Sequence, residues 1–129
     1  MHVCYIKIFT LSGKKSSIEV ILNNDAKTFQ SSREGIYVED TIVNGKKSWK
    51  SMENAIWYVP KHNSWAVGSL GDIGGEVHGI ASTDGSGYSN NSYNNPINVP
   101  SNEWWYANNG WKKPNNTDDI IVQCDESKY

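Results

Sequence analysis

Cysteine is scarce in this sequence: there are two, Cys4 and Cys124. Neither belongs to a C-x-x-C pair, which argues against a cysteine-built redox or zinc site. Charge of one sign is scarce as well. The 129 residues carry 12 Lys and Arg against 14 Asp and Glu, a net charge of −2. That balance makes no basic field, so nucleic acid is not an expected partner. Lys46 with Lys47, and Lys112 with Lys113, are isolated pairs that read as solvated strand ends and turns. No apolar run approaches the length of a membrane helix, so membrane insertion is not expected. Residues 3–11 are apolar, but Lys7 interrupts them and no small-residue cleavage site follows. They read as a first strand and not as a signal peptide.

Hydrophobic residues make up only 37% of the chain. A single domain over residues 1–129 must therefore build its core from few but large side chains. Six Trp and seven Tyr are present for that purpose, and each buries a large area.

The pattern along the chain predicts a mainly β fold, with antiparallel hairpins forming a compact sandwich or barrel. Residues 18–22 form a second β-branched run after the first strand. Asn24 and Asp25 open a short helix near residues 25–33, which Gly35 stops. Residues 36–43 read as a strand. Asn44-Gly45 then marks a type I′ hairpin, whose two central positions need positive φ. The return arm carries Trp49. A second hairpin runs over residues 55–59 and 64–68, turning at residues 60–63. A third runs over residues 104–107, turns at Asn108-Asn109-Gly110 and returns through Trp111. Both hairpins place aromatics on their two arms, as cross-strand pairing favours. A short strand is read at residues 78–82. Residues 120–125 form the last strand.

Period-two phase puts Cys4, Ile6 and Ile8 on one face of the first strand, and Ile120, Val122 and Cys124 on one face of the last. If these strands pair, both thiols point to the core. A disulfide between Cys4 and Cys124 is expected, against the alternative of two buried thiols.

The order Val43-Asn44-Gly45-Lys46, Trp49, Ile56-Trp57-Tyr58, Trp65-x-Val67-Gly68 and a Gly-rich loop resembles small β modules of secreted proteins and ectodomains in marine invertebrates and protists. The likeness runs from Gly35 onward. It implies a β fold and an extracellular location. It implies no activity, since none is established for such modules. The sequence departs from them at Lys47 and in its long asparagine-rich loop.

Chemistry is weighed residue by residue. The histidines are His2, His62 and His78. His62 falls in a turn and reads as exposed. Glu76 and His78 share one face of an extended segment, a pairing more often found as an ordinary surface pair than as an acid and base. An N-terminal His2 chelating copper with a second histidine is the weaker idea, and Met1 blocks it as written. For calcium, Asp84 lies in a partial loop motif that lacks the closing Glu. Asp118 and Asp119 form a second oxygen-rich cluster, beside Asn115 and Asn116. No cofactor is expected beyond that weak calcium reading.

Residues 83–102 are almost wholly Ser, Asn, Gly, Tyr and Pro, and structureless loops of this length are commonly functional or disordered. Tyr88, Asn90, Tyr93, Asn94 and Trp105 are the candidate ligand-binding residues. Aromatic plates suit the apolar face of a sugar, and amides suit its hydroxyls. Tyr and Asn also serve adaptable protein-binding loops. The alternative is a glycosylated or mobile loop, since Asn90-Asn91-Ser92 and Asn115-Asn116-Thr117 are glycosylation sequons. Of Trp104 and Trp105, period two sends one inward and one outward. Three readings stand in order: a non-enzymatic extracellular module recognising glycan or protein; a structural or adhesive unit of a larger assembly; a copper- or calcium-dependent protein.

Overall fold

The structure is a computed structural model that describes residues 16–83 and 93–125. Strand β1 is Ser17–Leu22, β2 Gly35–Val43, β3 Lys46–Lys50, β4 Asn54–Val59 and β5 Ser64–Ser69. They are followed by β6 Ile80–Ala81, β7 Trp105–Ala107, β8 Trp111–Lys112 and β9 Ile120–Cys124. All pair antiparallel in one nine-stranded sheet of order β8-β7-β6-β5-β4-β3-β2-β1-β9, curled into a half-barrel. Each strand pairs with its successor from β1 to β8, and β9 returns beside β1. The expected β fold is therefore present, as one curled sheet and not as two packed ones.

The turns obey their sequence signals. Asn44 and Gly45 have φ of 53° and 86°, the positive pair a type I′ hairpin requires. Asn63 ends the second turn in the left-handed region, at φ 51° and ψ 46°. Helix α1, Asn24–Gln30, runs into a 3-10 turn at Ser31–Arg33. The chain then reverses at Gly35, whose φ is 143°. The helix start departs from simple capping. Asn23 is the N-cap, and its side chain makes no cap hydrogen bond. The Asn23 Nδ2 donates instead to the Asp118 carbonyl at 2.7 Å, and the Asn24 Nδ2 to Asp119 Oδ1 at 2.6 Å.

The curl separates two apolar layers. The inner layer contains Ile18, Val20, Leu22, Tyr37, Trp49, Ile56, Trp65, Val67, Ile80, Trp104 and Ile120. Its regularity comes from register. Trp49, Ile56, Val67, Ile80 and Tyr106 face one another in turn across five strands. The side chain of Ala26 on α1 helps to cover this layer. A smaller outer layer holds Ala55, Trp57, Val59 and Ala66, with Leu70 and Ile73 of the following segment packed on it. Leu70 begins a 3-10 turn, Leu70–Asp72. The Trp57 indole N–H donates to the Gly75 carbonyl at 2.9 Å, which pins that segment down.

The last strand finds its described neighbour in β1, the second apolar run of the sequence. Leu22 faces Ile120, Val20 faces Val122 and Ile18 faces Cys124. This register sets all six side chains on the inner face. The phase read for Ile120, Val122 and Cys124 thus holds, since all three are buried. The expected strand at 3–11, Cys4 and the pairing of Cys4 with Cys124 lie outside the described residues. One expected pairing differs. In the second hairpin Tyr58 faces Trp65, but in the third Trp111 faces Ala107 and Tyr106 faces Lys112. The register places Trp111 and Tyr106 on opposite faces, so no aromatic pair bridges that hairpin.

Candidate functional site

The described end of the long loop lands on one rim of the half-barrel. Tyr93 is its first described residue, and it packs against the inner layer. The Trp65 indole N–H donates to the Tyr93 carbonyl at 2.8 Å. The Tyr93 hydroxyl donates to the Glu103 carboxylate, 3.0 Å from Oε1 and 3.1 Å from Oε2. Burial, and then the Glu103 carboxylate, push this phenol above its ordinary pKa. Asn94 follows and is exposed.

Three strands and a turn supply the rest of the rim. Lys46 of β3 holds its Nζ 5.0 Å above the Tyr58 ring centroid and 3.4 Å from Asn94 Oδ1. Tyr58 of β4 meets Trp65 of β5 edge-on, with centroids 5.6 Å apart. Its hydroxyl donates to Asn63 Oδ1 at 2.7 Å. Asn44 Nδ2 donates to the Tyr58 carbonyl at 2.9 Å and to the Gly74 carbonyl at 3.0 Å. The outcome is an aromatic plate edged by an ammonium and three amide side chains. A cation above an aromatic face is attracted by the ring quadrupole.

Of the five sequence-named ligand residues, Tyr93 and Asn94 meet on this rim. Trp105 does not join them. Trp57, Ala66, Ala81 and Trp105 form one cross-strand row, and this row is on the outer face, opposite Tyr106. There Lys113 Nζ sits 5.1 Å from the Trp105 ring centroid, and Lys113 also donates to the Asn102 carbonyl. The expected inward and outward split is observed: Trp104 is fully buried and Trp105 is half-buried. Tyr88 and Asn90 lie outside the described residues. Lys46, Tyr58 and Asn63 were not singled out by sequence. The signal available was Asn63 itself, an Asn closing a turn beside aromatic strands.

The sequence matches no family model, no curated protein and no solved structure at a significant level.

The metal candidates have other engagements. The carboxylate of Asp119 is buried and accepts from Asn24 at Oδ1 and from the Asn116 backbone N–H, 3.3 Å away, at Oδ2. It ties the turn before β9 to the helix start. Asp118 is exposed, and Asp84 lies outside the described residues. Among the described residues no group of three His, Cys, Asp or Glu is placed to hold a metal ion.

The histidines also sit differently from a plain surface pair. Glu76 is exposed and pairs with Lys61 at 3.4 Å, and His62 Nε2 lies 3.9 Å from it. His62 is half-buried, where the sequence places it in the open. His78 turns away from Glu76 into an aromatic slot. Its ring lies 5.4 Å from Trp111 and 6.2 Å from Trp57 between centroids. Both ring nitrogens are buried and without a hydrogen-bond partner among the described residues.

Proposed function

We propose that this chain is a non-enzymatic extracellular recognition module that binds a glycan through the rim formed by Lys46, Tyr58, Asn63, Tyr93 and Asn94. The observation that carries this reading is the contact of Lys46 with both the Tyr58 ring and the Asn94 amide. It joins residues 48 positions apart in sequence into one aromatic and amide surface. Ring and amides together are the combination a sugar needs, an apolar face beside hydroxyl partners. The loop composition and the two sequons fit a secreted protein. The resemblance to small β modules of secreted invertebrate and protist proteins supports the same location. So does Cys124, since no free cysteine occurs among the described residues; a bridge from Cys124 to Cys4 is part of this proposal.

A glycan array probed with the wild-type chain and with Asn94→Ala and Lys46→Met tests it. Asn94 is exposed, so its replacement leaves the fold intact. Binding of a defined glycan class is expected, and each substitution lowers it about tenfold, as for a central polar contact. No bound glycan, or variants that bind as well as wild type, would refute the reading. Capture of a protein ligand that is insensitive to both variants moves the function to another surface.

A further inference from the structure

Away from the outer layer that Leu70 and Ile73 cover, β2, the end of β3 and the β3–β4 turn leave part of the sheet open. A shallow groove of about 910 Å³ runs there. Its apolar surface is Ile36, Val38 and Met52. Ile36 and Val38 alternate with the fully buried Tyr37, so they project away from the core. Met52 is 95% exposed and Ile36 38% exposed. An unbranched thioether left in water at a groove edge is an adaptable contact without an internal role.

The walls are acidic. Glu34, Asp40 and Glu53 line the groove, against Lys50 alone; Glu39 also borders it, but its register opposite Trp49 turns its side chain to the inner face. One of these carboxylates is held in place by one oxygen: Glu34 Oε2 accepts from the Leu22 backbone N–H at 3.0 Å. Its second oxygen meets Lys27 at 3.4 Å. Lys50 pairs with Asp40 at 3.6 Å. The Glu34 and Asp40 carboxylates are 29% and 21% exposed, whereas their lysines are 57% and 51% exposed. The acids are thus fixed, and the lysines are solvated ions that another cation can displace at little cost. Glu53 has no ion-pair partner among the described residues.

The geometry points to this groove as a docking site for a cationic peptide segment of a partner protein, one carrying arginine beside aliphatic side chains. Charge complementarity selects that occupant. Fixed carboxylates receive guanidinium groups in paired hydrogen bonds. Ile36, Val38 and Met52 receive the hydrocarbon stems that long basic side chains lay along apolar surface. This surface is separate from the rim, since none of the rim residues lines the groove.

Fluorescence anisotropy with a short labelled peptide alternating arginine and leucine tests the assignment, with a glutamate and leucine peptide as control. Saturable binding of the first and none of the second is expected. The pair Met52→Ser and Glu53→Gln, both at exposed positions, weakens it about tenfold. Lys50→Gln, which frees Asp40, strengthens it a few-fold. Lys61→Gln, beside Glu76 and away from the groove, leaves it unchanged. Absence of saturation overturns the proposal. So does equal binding of the acidic peptide, or an equal gain from Lys50→Gln and Lys61→Gln, which would mark general charge attraction. Asn94→Ala leaves peptide binding intact, so failure at the rim and failure at the groove are told apart.

Discussion

His78 packs against Trp111 with ring centroids 5.4 Å apart and the rings tilted by 41°, and neither of its ring nitrogens has a hydrogen-bond partner among the described residues. Burial first, and then the nearby His62, depress its pKa to about 4, while Glu76 acts in the opposite sense. The unfolded chain binds the proton near pH 6.5. Between these values the unfolded state holds more protons than the folded one, so stability rises with pH. The contribution is complete above about pH 6.5 and is lost as pH falls towards 4. About 2 kcal/mol of stability should disappear over that window, discounted because the ring is partly exposed. His78→Phe should flatten that part of the profile. Urea melts from pH 4 to 7 followed by tryptophan emission read it, and a profile unchanged by the substitution removes His78 as the cause.

Gly68 carries the slot on its other side. A β-carbon there would lie 2.9 Å from Trp57 Cη2 and 3.0 Å from the His78 backbone. Gly68→Ala should therefore cost about 1–3 kcal/mol, the range for overpacking a closed site. It should also raise the His78 pKa by loosening the slot. Thermal melts and a histidine proton titration check both, and a wild-type melting temperature would show that the slot yields freely.

Asn63 has two roles that two substitutions separate. Its backbone is left-handed, and its side chain accepts from the Tyr58 hydroxyl. Asn63→Gly keeps the backbone freedom and loses that bond, for about 1 kcal/mol. Asn63→Ala loses both and should cost about 2–3 kcal/mol. Chemical denaturation orders the pair. Equal losses would mean that the turn conformation contributes nothing.

Cys124 should be joined to Cys4. The native protein should titrate with no free thiol when unfolded without reductant. Reduction should lower stability by up to about 4 kcal/mol, for a loop that spans most of the chain. Two titratable thiols in freshly purified protein would end this proposal.

Much of the architecture was readable because it rests on local rules. Asn44-Gly45 announces its hairpin since few other residues reach positive φ in succession. The phase of Ile120, Val122 and Cys124, and the opposite fates of Trp104 and Trp105, follow from the period of a strand. Gly35 marks the reversal into β2 just after the helical segment, at a φ of 143° that residues with a β-carbon rarely adopt.

What needed the tertiary structure is everything set by register and curl. A pattern of apolar residues does not say which strand lies next to which. It was the pairing of β9 with β1 that set Ile120 and Val122 opposite Leu22 and Val20. Register also parted Trp105 from Tyr93, which composition had grouped on one surface. It brought Lys46 and Tyr58 to Asn94 from strands far away in sequence. It left Met52 on an open acidic groove, between two strands read from the sequence. Sequence by itself determined that this chain makes a β domain with an aromatic core. Only the curled sheet decided which of its polar and aromatic side chains share a surface, because neighbours across a sheet are chosen by strand order and register and not by distance along the chain.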